Sequence, residues 1–178
     1  MNFEIKKINR DNFKDINVCD NKFMVYAELE LEIFNGDITY TINELPLPYE
    51  KHYPNDDINY EEYIDNPDKT VFLAYMDEEV AGQIILRRNW NKYAYIEDIR
   101  VKSKFRRKKI GQKLMNAAID WAKENNMPGI MLETQNNNVD ACKFYKKCGF
   151  VLGGFDKYLY NGIGNLNDEI ALYWYFIF

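Results

Sequence analysis

A run of basic residues marks the part of the chain that most clearly suggests chemistry. Eight lysines and arginines and no acidic residue lie between Arg100 and Lys113. The run follows a segment of strand character, Tyr95–Val101, and leads into an amphipathic helix predicted over Gly111–Asn126. A basic loop at a helix N-terminus is typical of an anion site, because unpaired amides and the helix dipole point to the same place. The sequence therefore predicts a loop whose amides bind a pyrophosphate; the alternative is a solvated helix cap.

A second informative stretch reads Leu132-Glu-Thr-Gln, followed by Asn138-x-x-Ala141-x-x-Phe144-Tyr145-x-x-x-Gly149-Phe150. It predicts a strand and then a helix over Val139–Cys148, which Asn138 begins and Gly149 ends. Together the two stretches resemble the GNAT superfamily of acyl-CoA-dependent N-acetyltransferases. The resemblance covers the chain from about Thr70 to its C-terminus.

The cofactor loop of that superfamily reads Arg or Gln, two residues, Gly, one residue, and then Gly or Ala. Arg106 and Gly111 match the ends of this loop, whereas Lys109 stands where its first glycine usually lies. We expect the amide of Lys109 to bind pyrophosphate, provided that this residue keeps a negative φ.

The resemblance implies acetyl-CoA as the co-substrate and residue roles around it. The strand at residues 99–101 is expected to separate from its neighbour and to leave backbone groups free for the pantetheine arm. Asn138 is expected to meet the pantetheine while capping its helix. Tyr145 is expected to protonate the leaving thiolate, since a phenol of pKa about 10 donates without prior ionisation; the alternative is a buried aromatic residue beside Phe144. The remaining implied cofactor contacts are Ile99, Arg100, Val101, Arg106, Arg107, Lys108, Lys109, Ile110, Gly111 and Gln112.

The acceptor amine has to lose a proton before it attacks, because an alkylamine of pKa about 10.4 is only about 0.1% neutral at pH 7.4. Glu97 is the first candidate for the general base, since it lies one alternation step from Ile99 on the same strand face. Asp98 is the second, since a bulge would invert the alternation. The alternative for either carboxylate is an ion pair with an arginine, for which the candidates are Arg87, Arg88 and Arg100.

Three segments further resemble the streptothricin acetyltransferases: Asn89–Asp98, Leu132–Asn138 and Ala141–Tyr145. This narrower resemblance implies that the chain acetylates the primary amine of the β-lysine moiety of streptothricin, by direct transfer in a ternary complex, and so inactivates the antibiotic. Alternative acceptors on the same fold are a polyamine, an aminoglycoside or a protein amine. The alternative that is not an enzyme is a nucleic-acid-binding module using residues 100–113, which the net charge of −5 disfavours.

The N-terminal half carries the opposite charge to the basic run. Between Glu28 and Asp68 there are twelve acidic residues, and Lys51 is the one lysine or arginine. Acidic side chains would attract and orient a cationic substrate such as streptothricin, and tyrosines would add cation–π contacts. The resulting candidates for substrate binding, each with a solvated surface position as the alternative, are Tyr49, Glu50, Glu62, Tyr63 and Glu133.

The hydrophobic patterns predict a mixed α/β (α+β) fold with a central, mostly antiparallel mixed sheet flanked by helices. The resemblance adds an opening between the two central strands at the acetyl-CoA site. We expect one domain over residues 1–178, with a cofactor-binding core at about 70–178 and an acidic substrate side at about 1–69. The predicted strands are Phe3–Ile8, Ala27–Phe34, Asp37–Ile42, Thr70–Tyr75, Val80–Arg87, Tyr93–Val101, Ile130–Thr134, Phe150–Tyr160 and Glu169–Phe178; Leu45–Pro54 is predicted to be a loop and Asn59–Asp65 a short helix.

Composition excludes several other classes of protein. Among the 178 residues, 47% are apolar and 29% are charged, which suits a packed core and not a disordered tail. No apolar run approaches the ~18–20 residues of a membrane helix, and no signal core opens the chain, so we expect a cytoplasmic protein without membrane contact. Three cysteines and one histidine without metal-ligand spacing predict no metal site and no covalent catalysis. The sequence leaves open whether the chain is a monomer or a homodimer.

Overall fold

The computed structural model describes residues 2–53, 55, 57–164 and 168–178. These residues cluster into two compact units. The first holds the described residues of 1–21 and 54–130 together with Phe178, and the second holds those of 22–53 and 131–177. The elements are β1 (Phe3–Lys7), β2 (Lys22–Phe34), β3 (Asp37–His52), β4 (Lys69–Met76), β5 (Glu79–Arg88), β6 (Ala94–Val101), α1 (Ile110–Glu124), β7 (Gly129–Gln135), α2 (Val139–Lys147), β8 (Val151–Asp156) and β9 (Ala171–Ile177).

The first unit is built on four antiparallel strands in the order β1-β4-β5-β6. The helix α1 packs on β4, β5 and β6 through its buried stripe, which includes Leu114 and Trp121. Gly82 of β5 lies directly under this helix: a Cβ there would lie 2.7 Å from the carbonyl oxygen of Arg100 and 3.1 Å from Leu114. A glycine at position 82 therefore lets the helix and the backbone of β6 come close to β5.

The opposite face of these strands carries a second layer of core. Val71, Leu73 and Ile85 pack there, and because side chains alternate along a strand, they face away from α1. The residues that cover them come from the segment before β2 and from the turn before β4, and they include Ile16, Cys19 and Tyr63. The first unit thus buries both faces of its strands.

The second unit begins with a long hairpin of β2 and β3, whose turn confirms the predicted Asn35-Gly36 signal. Asn35 and Gly36 have φ of 51° and 88°, as a type I′ turn requires. The prediction of a loop over Leu45–Pro54 is wrong, because β3 continues to His52. The prediction of a loop rested on prolines such as Pro46 and Pro48. The register explains how a strand holds these two: Val25 pairs with Tyr49 and Ala27 with Glu44, so residues 45–48 lie in a bulge where no ladder amide is needed.

The rest of the second unit comprises β7 from residue 131 onward, α2, β8 and β9, with the strands in the order β7-β9-β8. Asn138 begins α2, and its side chain accepts a hydrogen bond from the amide of Ala141 at 3.4 Å, which confirms the predicted cap. Gly149 ends the helix with a φ of 92°. The pair β8 and β9 is antiparallel and closes the described part of this unit.

Three other predicted elements differ from the structure. The segment Asn59–Asp65 forms only a 3₁₀ turn, Tyr60–Tyr63, because Asn59 and Ile64 on either side of it are extended. The last two strands are shorter than their apolar patterns suggested: β8 stops at Asp156, and β9 begins at Ala171. The assignment of one domain, with a cofactor-binding core at about 70–178 and a substrate side at about 1–69, stays a prediction.

Two absences can be stated for the residues that the structure describes. In them, no helix is both long enough and apolar enough to cross a membrane. Nor do these residues hold a group of three or more His, Cys, Asp or Glu side chains that could bind a metal ion.

Candidate active site

The basic loop of the first unit connects β6 to α1 through a 3₁₀ turn at Ser103–Phe105. Arg107 and Lys109 both have a φ of 63°, in the left-handed region. The condition that Lys109 keeps a negative φ is therefore not met: this lysine adopts a left-handed conformation, which only glycine adopts without strain. A left-handed residue with a side chain costs roughly 1–2 kcal/mol, so the loop holds some strain at this point.

The shape of this loop suits an anion. Left-handed residues between right-handed or extended ones turn successive amides into one concave surface, and the first amides of α1 have no acceptor within the helix. Asp20 fixes the start of the loop by accepting hydrogen bonds from the amide and hydroxyl of Ser103. The guanidinium of Arg106 donates to the carbonyl of Val101 at 3.2 Å and lies 3.7 Å from the carboxylate of Asp20. Contacts with Asp20 and Val101 thus fix the conformation of the loop.

The strand β6 carries the predicted cofactor backbone and both candidate bases. Ile99, Arg100 and Val101 pair along one edge with β5. Ile85 of β5 pairs with Asp98 but Leu86 pairs with Ile96, so Glu97 is the extra residue of a β-bulge.

The bulge brings both acidic side chains to one face of the strands. Glu97 contacts Arg87 and Asp98 contacts Gln83, and these two residues of β5 share a face because they lie four positions apart. The alternation argument from sequence had given the two carboxylates opposite faces unless such a bulge occurred.

Each of these carboxylates has an arginine partner, so the ion-pair alternative describes what the structure contains. Glu97 accepts hydrogen bonds from Arg87 at 3.0 Å and from the hydroxyl of Tyr63 at 2.6 Å. Asp98 accepts from Arg100 at 2.8 Å and from Gln83 at 2.6 Å. Each of the two carboxylates is thus bound by one arginine and by one uncharged donor.

Tyr145 lies on α2 in the second unit and is buried, with 7% of its surface exposed. Its ring packs against Phe144, Phe150 and Trp174 at centroid distances of 5.7, 6.0 and 6.4 Å. The buried aromatic alternative is thus true of the ring, and it leaves the predicted role of the hydroxyl untested. Tyr53 faces the same helix, since the side chain of Asn138 hydrogen-bonds to it and Tyr145 acts on it electrostatically.

A group of ionisable side chains surrounds Glu133 in the second unit, and we call it the carboxyl cluster: Lys51, Tyr53, Glu133, Tyr160 and Glu169. Tyr160 donates its hydroxyl to Glu133, and the ammonium of Lys51 donates to Glu169. Burial, and then the charge of Glu169, raise the pKa of Glu133 to about 7. Burial and the two glutamates raise the pKa of Tyr53 well above its usual value, so its hydroxyl stays protonated and donates to Gln135.

Asn136, at the end of β7, fixes the position of this cluster. Its backbone amide donates to the carbonyl of Ile170 at 2.9 Å, and its side-chain oxygen accepts from the amide of Ile170 at 2.9 Å. Its carbonyl accepts from the amide of Leu29 at 2.9 Å, and its side-chain nitrogen donates to the carbonyl of Leu29 at 3.3 Å. One buried amide residue therefore joins β2, the end of β7 and the segment that carries Glu169.

The predicted substrate residues are not all in one kind of environment. Tyr49 and Glu50 lie exposed on β3, where Glu50 pairs with Lys22 at 2.9 Å. Glu62 is exposed and pairs with Lys69, whereas Tyr63 is buried and bonds to Glu97. Only Glu133 lies in the carboxyl cluster. Sequence reasoning missed Tyr53, Tyr160 and Glu169, because no local pattern signals that residues so far apart in the chain meet.

The cysteines have no feature of a nucleophile. Burial raises the pKa of Cys142 to about 12 and that of Cys19 to about 11, and it also raises the pKa of Cys148. A thiol that stays protonated at neutral pH is a poor nucleophile, so the site favours direct transfer over a covalent intermediate on cysteine.

Comparison with known proteins gives a consistent result. The model of the acetyltransferase (GNAT) family matches residues 37–150. Streptothricin acetyltransferase A of Bacillus subtilis (strain 168) is 41% identical over 174 residues, which are 98% of this chain and 99% of that protein. The resemblance found in the sequence is therefore confirmed at the level of the family.

Solved structures agree. A Bacillus anthracis str. Ames protein assigned as a streptothricin acetyltransferase, in complex with acetyl coenzyme A, is 47% identical, with a TM-score of 0.92 over 100% of this chain and 99% of that one. Nourseothricin acetyltransferase is 26% identical, with a TM-score of 0.82 over 98% of both chains. These similarities confirm the predicted mixed α/β fold. The opening between two central strands stays a prediction.

The role of Asn136 can be tested by its removal. Replacement Asn136→Ala leaves a buried carbonyl of Leu29 and a part-buried amide of Ile170 without their side-chain partners, and we expect it to lower the free energy of unfolding by about 2–4 kcal/mol. Urea unfolding measures this loss. Asn137→Ala is the matched control, because Asn137 is equally buried but its side-chain oxygen has no hydrogen-bond partner among the described residues. Equal losses in the two variants would contradict the role given to Asn136.

Proposed function

The chain belongs to the acetyltransferase (GNAT) family, and from this membership we propose that it transfers the acetyl group of acetyl-CoA to the primary amine of the β-lysine moiety of streptothricin. The observation that carries the proposal is the 41% identity to a streptothricin acetyltransferase over nearly the full length of both chains. Acetylation removes a positive charge from the antibiotic and thereby inactivates it.

Acetyl-CoA binding is assigned to two sets of residues. In the first unit, the amides of the loop at 106–112 bind the pyrophosphate, and the basic side chains there add attraction. The backbone of Ile99, Arg100 and Val101 binds the pantetheine arm. In the second unit, Asn138 meets the pantetheine and Tyr145 donates a proton to the sulfur.

The transfer itself is one exchange of bonds. One proton of the substrate ammonium goes to a protein base, which leaves a neutral amine. The amine nitrogen then forms a bond to the acetyl carbon, the bond from that carbon to sulfur breaks, and the sulfur receives the proton of the Tyr145 hydroxyl. The second proton that the nitrogen loses as it becomes an amide is released to solvent, from which Tyr145 regains its proton. No covalent enzyme intermediate is needed. Much of the rate enhancement comes from binding the two reactants next to each other, because this makes the reaction between them effectively unimolecular.

Glu133 is the base that the site supports best. A general base works most effectively when its pKa is near the working pH, and the pKa of Glu133 is raised to about 7. Glu97 and Asp98 are alternatives, and each would have to accept a proton while bonded to an arginine. The partly buried cluster around Glu133 also lowers the cost of removing an ammonium from water, since its carboxylates carry the complementary charge.

The experiment that tests the function is thiol release from acetyl-CoA by the purified protein, with streptothricin, spermidine, kanamycin and lysine as acceptors. We expect turnover with streptothricin that exceeds the others by at least about tenfold in kcat/KM, and a product heavier by one acetyl group. A preference for spermidine or kanamycin would replace the acceptor, and turnover with none of the four would overturn the substrate assignment.

The hydroxyl of Tyr145 can be removed without changing its ring. We expect Tyr145→Phe to lower kcat by at least about tenfold, because the thiolate loses its proton donor, while the KM for acetyl-CoA stays within about twofold. Steady-state kinetics measure both values. Phe144→Leu on the same helix serves as the control for altered packing. An unchanged kcat in Tyr145→Phe would reduce Tyr145 to a packing residue.

The left-handed conformation of Lys109 gives a matched pair of variants. Lys109→Gly and Lys109→Val both remove the ammonium, but only glycine adopts a positive φ without strain. We therefore expect the KM for acetyl-CoA to be about fivefold higher in the valine variant than in the glycine variant, which corresponds to about 1 kcal/mol. The same KM in both would show that acetyl-CoA binding does not depend on this backbone conformation.

The role of Glu133 predicts a pH dependence. A base has to be ionised, so kcat/KM for streptothricin should fall as the pH drops below about 7, the raised pKa of Glu133. Glu133→Gln should lose this acidic limb and about a hundredfold in kcat. Glu97→Gln and Asp98→Asn are measured alongside. If the limb survives in Glu133→Gln but disappears in one of these two, the base is that carboxylate.

A further inference from the structure

A second carboxyl group, Glu169, lies in the carboxyl cluster and has no role in the transfer as described above. Its Oε1 accepts a hydrogen bond from the ammonium of Lys51, and the side chains of both residues are only 12% exposed. Its Oε2 is buried and has no hydrogen-bond partner among the described residues. Lys51 therefore satisfies one oxygen of this carboxyl group, and none of the described residues satisfies the other.

The position of Glu169 is fixed by the backbone next to it. Ile170 exchanges two hydrogen bonds with Asn136, both at 2.9 Å, and Asn136 follows Glu133 by three residues at the end of β7. The ammonium of Lys51, which binds Glu169, lies 5.2 Å from the ring centroid of Tyr53, and the hydroxyl of Tyr53 donates to Gln135. Gln135 and Glu133 are two positions apart on β7 and therefore share a strand face. These contacts connect the two glutamates within one cluster.

The groups that face Glu133 come from several elements. Tyr53 and Tyr173 both have a raised pKa, first through burial and then through nearby carboxylates, so they are neutral phenols at physiological pH. Tyr160 donates its hydroxyl to Glu133. Among the described groups around Glu133, Glu169 is therefore the one that adds a negative charge, with Lys51 bound to it.

We propose that Glu169 is a positioning residue for acetyl transfer, which sets the pH range in which Glu133 accepts the proton of the substrate. The proposal rests on the proposed role of Glu133 as the base. A like charge nearby favours the protonated form of a carboxyl group. Without Glu169, Glu133 would be ionised at lower pH and would be a weaker base; with it, Glu133 can take up a proton near neutrality. After burial, the charge of Glu169 is the next cause that raises the pKa of Glu133.

The test is the pH profile of kcat/KM in Glu169→Gln, which removes the charge and keeps the shape and the acceptor for Lys51. We expect the acidic limb to move to lower pH by roughly 0.5–1 pH unit, so that the rate at pH 6, relative to the plateau, rises roughly threefold to fivefold. Glu169→Asp, which keeps the charge, should restore most of the original profile. A lost substrate contact would raise KM without moving the limb, and a structural role would lower the rate at every pH.

Asp168→Asn is the matched control, because it removes the same charge from the neighbouring residue, whose side chain is exposed. We expect no movement of the limb in this variant. An unmoved limb in Glu169→Gln, or movement to higher pH, overturns the proposal, and so does equal movement in Asp168→Asn.

Two further variants separate this proposal from the one it rests on. If Glu133→Gln keeps the limb, the assignment of the base fails; if Glu133→Gln loses it and Glu169→Gln does not move it, only the role of Glu169 fails. If Glu169→Gln does not fold, Lys51→Gln provides the test with the opposite sign. Loss of the cation leaves the charge of Glu169 uncompensated, so the limb should move to higher pH, and an unmoved limb overturns the proposal.

Discussion

The carboxyl cluster depends on one buried amide residue, Asn136. Its backbone and side chain together form four hydrogen bonds, two with Leu29 on β2 and two with Ile170 before β9. Buried backbone groups that lose such partners are costly, so these three segments are stable only together. Glu133, Gln135 and Glu169 all lie within three residues of the points that Asn136 joins. The chemistry of the cluster is therefore a consequence of how the second unit satisfies its buried amides.

The sequence predicts the elements of this fold well wherever one short segment decides the outcome. Asn35-Gly36 needs two positive φ angles and forms a hairpin turn, and Asn138 and Gly149 begin and end α2. The prediction of a loop at the prolines 46 and 48 was wrong because proline, which lacks an N–H group, excludes a strand only where the ladder needs a donor at that position. Whether a donor is needed depends on the register with β2, which the sequence of β3 alone does not contain.

The candidate site could be predicted only in part, and for a related reason. The motifs at 106–111 and 138–150 are local, so the residues themselves predict the loop and the cap, and the resemblance to the GNAT superfamily adds Tyr145. Lys51 and Glu169 are 118 positions apart and Tyr53 and Gln135 are 82 positions apart, and no periodicity connects such residues. The side on which Glu97 and Asp98 lie depends on a bulge, since one extra residue reverses the alternation that the prediction used.

The carboxyl groups of Glu97, Asp98 and Glu133 differ in the groups that surround them. Glu97 and Asp98 each accept from an arginine and from a second donor. Glu133 has a tyrosine hydroxyl in place of an arginine and lies near another negative charge, which favours the protonated form. Glu97 and Asp98 thus have positively charged partners, whereas Glu133 accepts from a neutral hydroxyl and lies near a second carboxyl group. The difference in partners, more than the position on a strand, therefore favours Glu133 as the group that exchanges protons near neutral pH.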